Sequence, residues 1–367
     1  MFLQKINLLN FKNCEEAELI FSDGVNCFVG NNGEGKTNLL DAIHYLSFCK
    51  SYFNPIDSQN ILHEVPFFII QGVFEKNDIV ENVYCGVKRG QKKQFKRNQK
   101  EYQRLADHIG IFPLVMISPT DSNLISEGSE ERRKLMDSII SQYDKIYLDD
   151  LINYNKVLSH RNAVLKTFSE KRYFDLSTLE VWDIQLIELA NKIYDKRKAF
   201  VSEFIPVFRH FFEFIAGSSE QVDIVYESHL HQGGFENLLK STVSKDRALN
   251  YTTAGTHKDD LTFHLKGYSI KRYGSQGQQK SFLIALKLAQ FEMIKQIKKA
   301  KPILLLDDIF DKLDEIRVSK LMQLVSKENF GQLFITDSHP ERIIKIFKDI
   351  HIKIKLFTIK GGKIVKG

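Results

Sequence analysis

Residues 30–37 read Gly-Asn-Asn-Gly-Glu-Gly-Lys-Thr, and this stretch restricts the chain to few folds. It fits the pattern G-x-x-x-x-G-K-[ST], in which glycines let the backbone curl until its N–H groups cradle phosphates. The context agrees. Val25-Asn26-Cys27-Phe28-Val29 is a short apolar run that reads as a buried strand, and residues 38–46 carry apolar side chains at helical spacing. The loop therefore joins a strand to a helix whose positive end favours an anion. In that setting Gly30, Asn31, Asn32, Gly33, Glu34, Gly35, Lys36, Thr37 and Asn38 form a nucleotide-binding set. Lys36 is placed to reach the β- and γ-phosphates, and the Thr37 hydroxyl to ligate Mg2+.

A loop of this kind needs a carboxylate for the metal, and none follows nearby. It comes at Lys301-Pro302-Ile303-Leu304-Leu305-Leu306-Asp307-Asp308, where an aliphatic strand ends in two acids. Asp307 is expected to share the Mg2+ with Thr37, and Asp308 to orient or deprotonate the attacking water. Residues 331–339 give one more buried strand, which would place Thr336, Asp337 or His339 near the γ-phosphate. His339 is open to a catalytic or a structural reading. Thr37 and Asp307 stand 270 positions apart (307 minus 37), far more than one compact nucleotide domain needs. The expectation is an α/β fold: a split head with a short, mostly helical arm domain inserted between its halves. The boundaries read as 1–120 for the first half of the head, 121–215 for the arm and 216–367 for the second half.

The intervening sequence supports this division. Residues 65–117 have strand character, whereas from 121 to about 215 glycine is almost absent and apolar residues recur every three or four positions. Arg132, Arg133, Arg161, Lys166, Lys171 and Arg172 leave basic positions on these helices. Between the strands lies a basic run holding Lys88, Arg89, Lys92, Lys93, Lys96 and Arg97. It can neutralise the phosphates of a nucleic acid, or simply solvate a hairpin tip. The net charge of +6 is a mild pointer to an anionic partner. The four cysteines form no C-x-x-C pair and read as reduced thiols of a cytoplasmic protein. No apolar run approaches the roughly 18 residues of a membrane span, so no membrane partner is expected. Finally, Ser275-Gln276-Gly277-Gln278-Gln279-Lys280 opens a strongly helical stretch; alone it reads as an ordinary capped helix.

Taken together, these motifs resemble the ABC-type ATPases of chromosome maintenance and, within them, the bacterial RecF family. The likeness covers nearly the whole chain. Leu9-Asn10-Phe11-Lys12-Asn13 resembles the family's opening N-F-R-N strand, and residues 30–38 its phosphate loop. Ser118-Pro119-Thr120-Asp121 with residues 128–133 resembles its S-P-E-D-L passage, residues 154–166 its arm, and Gly255-Thr256-His257-Lys258-Asp259-Asp260 its G-P-H-R-D-D segment. Ser275, Gln276, Gly277 and Gln278 resemble its signature, and Leu313-Asp314 its interface loop. The insert is under a hundred residues, which separates the chain from relatives with coiled-coil arms of hundreds.

The resemblance implies that ATP bound by one subunit meets Ser275 and Gly277 of another, with Asp314 at the same interface. ATP and Mg2+ would then close a homodimer on double-stranded DNA or on single-strand/duplex junctions, and hydrolysis would release it. It further implies work with RecR and RecO to help load RecA at gaps, support of the SOS response, and a weak DNA-stimulated ATPase. There are departures. Lys12 and Lys258 replace arginines, losing the bidentate fork, and Thr256 replaces a proline. Asp308 stands where most ABC ATPases have glutamate, one methylene shorter, which suits slow turnover. Asp337, not His339, falls at the usual switch-histidine position; no secure glutamine is found for the γ-phosphate-sensing loop, for which residues 116–121 are the candidate. Two rivals share some of these features: the nucleotide-binding ATPase subunit of a membrane transporter, and a non-hydrolysing structural clamp.

Overall fold

The computed structural model describes residues 1–217, 220–312, 315–326 and 330–366. It divides into two compact units: Met1–Ser122 with Phe211–Ser218 and Gln276–Gly367, and Asn123–His210 with Ser219–Ser275. The first unit opens with β1 (Phe2–Phe11), β2 (Cys14–Ile20), β3 (Val25–Val29) and α1 (Lys36–Phe48). There follow β4 (Phe67–Lys76), β5 (Ile79–Lys88), β6 (Gln94–Arg97), β7 (Lys100–Glu101) and β8 (Leu114–Ile117). The second unit contains α2 (Asn123–Ser126), α3 (Ser129–Ser141), α4 (Lys145–Lys171) and most of α5 (Leu176–Ala216). It also holds β9 (Val222–Glu227), α6 (Phe235–Leu249), β10 (Asp260–Leu265), β11 (Tyr268–Ser269) and α7 (Ile270–Tyr273). The chain then returns to the first unit with α8 (Gln276–Lys298), β12 (Ile303–Leu306), α9 (Glu315–Ser326) and β13 (Leu333–Asp337). It finishes with α10 (Pro340–Asp349), β14 (Ile354–Lys360) and β15 (Lys363–Lys366).

Two six-stranded sheets build the first unit. One is antiparallel, in the order β2-β1-β4-β5-β6-β7; the other runs β15-β14-β3-β13-β12-β8 and is parallel from β14 to β8. Strands buried on both faces read as unbroken apolar runs rather than alternations, which is why β3, β8 and β12 carry so few polar residues. Helix α1 contacts β4, β1 and β5 of one sheet and β13 and β8 of the other. Every residue from Leu39 to Ser47 is consequently buried. The core around it includes Leu3, Phe11, Phe28, Leu40, Tyr45, Phe68, Phe74, Phe334 and Phe357, and each such side chain contributes about 1.5–3 kcal/mol of apolar burial.

The second unit contains several buried ion pairs beside its apolar packing. Arg161 is shielded from solvent and pairs with Asp183 at 2.5 Å and Asp246 at 2.7 Å. Arg197 reaches Asp137 at 2.9 Å and Asp259 at 2.7 Å, and donates to the Thr256 carbonyl at 2.8 Å. Arg132 grips Asp260 through two bonds of 2.7 and 2.9 Å. Arg133 donates to the Asp259 carbonyl at 2.7 Å. Three of the basic positions expected on the helical surface, Arg132, Arg133 and Arg161, are therefore spent inside this unit. These links, with the β9–β10–β11 sheet, group residues 219–275 with the helices and not with the head segment expected from 216 onward. Among the described residues no helix is long and apolar enough to cross a membrane.

Candidate nucleotide site

In the parallel sheet β13 lies between β3 and β12. The loop after β3, the acids after β12 and the last residues of β13 consequently share one sheet edge, at the C-terminal ends of the strands. Ligands of open α/β sheets collect at that edge. This adjacency closes the long sequence gap. The Thr37 hydroxyl donates to Asp307 Oδ1 at 2.8 Å, and Thr336 Oγ1 donates to the same oxygen at 2.9 Å. Burial pushes the Asp307 carboxyl above its ordinary range, while the Thr37 and Thr336 hydrogen bonds pull it back. The Asp308 N–H donates to Thr336 Oγ1 at 2.8 Å, and Asp308 itself has a left-handed backbone, φ 44°.

The loop has the shape its glycines allow. Gly30, Gly33 and Gly35 have φ of 154°, 84° and 106°, and Lys36 is the first residue of α1. The Lys36 ammonium is buried and donates to the Gly30 and Asn31 carbonyls at 2.7 and 3.0 Å, so it lies along the loop's inner wall. Asn31, Asn32 and Gly33 are exposed.

Two turns grip this loop, and neither was foreseen. A Cβ on Gly35 would lie 2.7 Å from the Asn13 amide oxygen, and Asn13 in turn accepts from Asn38 Nδ2 at 2.7 Å. On the other side is the β14–β15 turn, where Gly361 and Gly362 both have positive φ. Its Gly361 N–H donates to the Glu34 carboxylate, and its Gly362 N–H to the Glu34 carbonyl at 2.9 Å. A Cβ on Gly30 would overlap the Ile359 carbonyl, and one on Gly362 the Asn13 carbonyl. The Gly-Gly dipeptide between apolar runs is a hairpin signal that the sequence did carry. Its contact with Glu34 had no local signal.

Lys12 is anchored to α1, pairing with the buried Asp41 at 2.6 Å; Asp41 also accepts from Ser51 Oγ and Tyr52 N, each at 2.6 Å. In the 116–121 segment, Asp121 accepts from Ser118 N at 2.8 Å and Tyr52 Oη at 2.6 Å, and pairs with Lys287 of α8 at 2.7 Å. Asp337 accepts a fork from Arg342 at 2.8 and 3.0 Å and the His339 N–H at 2.6 Å, while His339 is exposed. Gln276, Gly277 and Gln278 form the first turn of α8, directly after the exposed Ser275. The Arg317 guanidinium lies beside Gly277 and donates to Ser281 Oγ at 2.6 Å. Asp314 lies outside the described residues.

The basic run divides. Arg97 forks onto Glu81, and Lys93 pairs with Asp57 at 2.8 Å and donates to the Cys49 carbonyl at 2.6 Å. Lys96 lies over the Tyr84 ring. Lys88, Arg89 and Lys92 are exposed.

The donor set at the strand ends, one hydroxyl and one carboxylate, is made of hard oxygens, and Mg2+ is usually held in this way beside substrate phosphates. No group of three or more His, Cys, Asp or Glu side chains able to hold a metal unaided occurs among the described residues. A phosphate loop, a carboxylate from a distant strand and an inserted helical unit define a split P-loop ATPase head of the ABC type. The profile of the RecF/RecN/SMC N terminal domain family matches residues 2–358. The chain is 55% identical to the DNA replication and repair protein RecF of Flavobacterium johnsoniae, over 98% of this chain and all of that one. It is 52% identical to RecF of Phocaeicola vulgatus, over 100% and 98%. A solved structure of the recombination mediator protein RecF with ATP, in the RecFOR pathway, superposes with a TM-score of 0.89 at 30% identity, covering 100% of this chain and 97% of that one. An Smc head domain from Pyrococcus furiosus shares the fold at a TM-score of 0.57 and 18% identity, over 99% and 96%. The chain belongs to the RecF family. These full-length matches do not favour the membrane-transporter reading.

Proposed function

We propose that this chain is an ATP-dependent DNA-binding protein of recombinational repair and replication. It closes as a two-fold dimer on duplex DNA or gap junctions and opens on slow ATP hydrolysis. The observation that supports this best is the meeting of Thr37 and Asp307 beside a loop shaped for phosphates. ATP is the proposed nucleotide because a solved relative holds it. Gly30 to Asn38 would bind it, with Lys36 turning from the loop carbonyls to the β- and γ-phosphates. Thr37 and Asp307 would hold Mg2+, which supplies charge neutralisation at the phosphates. Asp308 would orient the water. Ser275, Gln276, Gly277 and Gln278 of a second copy would cap the γ-phosphate, with Asp314 at the same contact. Lys12 would join the nucleotide set by exchanging Asp41 for a phosphate.

The DNA contacts fall to Lys88, Arg89 and Lys92, whereas Lys96 and Arg97 mainly hold their own hairpin and Lys93 ties it to Asp57 and Cys49. In the cytoplasm such a clamp would act with RecR and RecO, help load RecA at single-strand gaps and support SOS induction. Sedimentation with and without ATP, together with hydrolysis rates with and without duplex DNA, tests the reading. The expected result is an ATP-dependent dimer, abolished by Lys36→Ala, and a weak ATPase that DNA stimulates. A chain that stays monomeric in ATP and hydrolyses at a DNA-insensitive rate would overturn it.

A further inference from the structure

Thr336 is fully buried at the end of β13, between the strand that leads into the phosphate loop and the strand that delivers the acids. Its hydroxyl has one proton, which goes to Asp307 Oδ1 at 2.9 Å. Its lone pair then accepts the Asp308 N–H at 2.8 Å. One hydroxyl thus fixes a carboxylate rotamer on one acid and the backbone of the next. The second task is demanding, since Asp308 has a left-handed φ of 44°. Outside glycine such a backbone is uncommon, and it persists where surrounding contacts over-determine it. The neighbouring Asp337 is engaged on the other side. Asp337 spends its oxygens on Arg342 and the His339 N–H, and His339 is exposed.

We infer that Thr336 is a positioning residue for the ATPase reaction, holding Asp307 and Asp308 as one oriented pair. The inference rests on the nucleotide reading above. Threonine suits the task because its β-branched side chain has few rotamers in a strand. Valine matches its shape but supplies neither donor nor acceptor, so Asp307 would lose one of its two hydroxyl bonds and the Asp308 N–H its partner.

The test compares Thr336→Val with Thr336→Ser. The first readout is the gain in affinity for a fluorescent ATP analogue on adding Mg2+, measured by titration with and without the metal; the second is kcat. In the valine variant the Mg2+-dependent gain should shrink about tenfold and kcat should fall about 10- to 100-fold, as for lost outer-shell partners of a metal ligand. Metal-free nucleotide affinity should hold, and serine should restore both quantities. Thr336→Ala carries the same comparison if the valine variant does not fold. A full Mg2+ gain without the hydroxyl, or the same loss in the serine variant, would overturn the inference while leaving the ATPase reading intact. A wild-type chain without Mg2+-dependent ATP hydrolysis would instead overturn the reading itself, and the inference with it.

Discussion

Arg161 and Asp246 meet at 2.7 Å with both side chains shielded from solvent. Asp183 is the second carboxylate on the same guanidinium and keeps partial access to water. Removing one partner of a buried pair strands the other charge, at a cost of about 3–5 kcal/mol. Asp246→Ala should therefore unfold at a much lower urea concentration than Asp183→Ala. Equal midpoints for the two variants would show that Asp246 does not anchor this cluster.

Gly362 has φ 76° and lies against the Asn13 carbonyl with no room for a Cβ. Gly362→Ala should cost about 1–3 kcal/mol from the backbone alone. It should also weaken ATP binding, because the turn that Glu34 leans on must move. The matching change on the loop side is Glu34→Ala, which removes the acceptor for Gly361. Glu34→Gln keeps an acceptor oxygen and should bind ATP nearly as the wild type does. Isothermal titration decides the point: equal affinities across all three variants would deny the turn a part in shaping the loop.

His44 and His108 are buried and His257 is half-buried, and loss of hydration lowers each imidazole to about 4 from an ordinary 6.5. The unfolded chain takes up these protons first as pH falls. Stability is thus fully present above 6.5 and is lost progressively toward 4, by at most about 3 kcal/mol per group. The Leu46 carbonyl accepts from His108 Nε2, which leaves Nδ1 of the neutral ring to accept from Tyr102 Oη, and His108→Gln can keep a polar link without the titration. Urea midpoints measured at pH 7.5 and pH 5 should differ less in that variant than in the wild type. An unchanged difference would exclude His108 from the acid sensitivity.

Lys88, at the end of β5, and Arg89 and Lys92 of the β5–β6 connection are exposed cations. Changing all three to glutamine should flatten the salt dependence of duplex binding by up to about three units of log–log slope, near 0.9 per phosphate contact. Affinity should fall alike for unrelated sequences, since backbone contacts carry no base information. Lys93→Gln, by contrast, should act on stability through Asp57 and the Cys49 carbonyl. A triple variant with an unaltered slope would move the DNA contacts elsewhere on the chain.

Asp308 offers a further check on the chemistry. Asp308→Asn leaves the backbone bond to Thr336 available but removes the charge proposed to orient the water. Hydrolysis should fall by about 10²–10⁴-fold, the usual range for a positioned base, while ATP still drives dimer formation. A normal rate would favour the non-hydrolysing role for this acid.

Much of this architecture was legible because its strongest signals are local. The phosphate loop announces itself through glycines that need left-handed backbone, and β12 through four aliphatic residues followed by acids. Even the pairing of Thr37 with Asp307 could be anticipated, because a bound nucleotide requires it. What stayed hidden were contacts that only the sheet order creates. Nothing near Glu34 points to Gly361, and nothing near Thr336 points to the two acids 28 and 29 positions upstream. Charge alone is also a poor guide to exposure in this chain. Arg132, Arg133 and Arg161 sit at helical positions that look solvated, yet aspartates from residues 183–260 turn them inward. A polar residue's fate depends on its partner, and the partner's distance along the chain is not encoded beside it.

The turns that grip the phosphate loop have a consequence for biosynthesis. The parts of the pocket leave the ribosome in a fixed sequence: Asn13, then residues 30–38, then Asp307 and Asp308, then Thr336, and last the Gly361–Gly362 turn. A nascent chain carries the complete phosphate-binding motif for most of its synthesis without the surroundings that give it shape. A chain truncated before residue 361 would bear the motif without the turn that holds Glu34, and should capture nucleotide less well than the full chain.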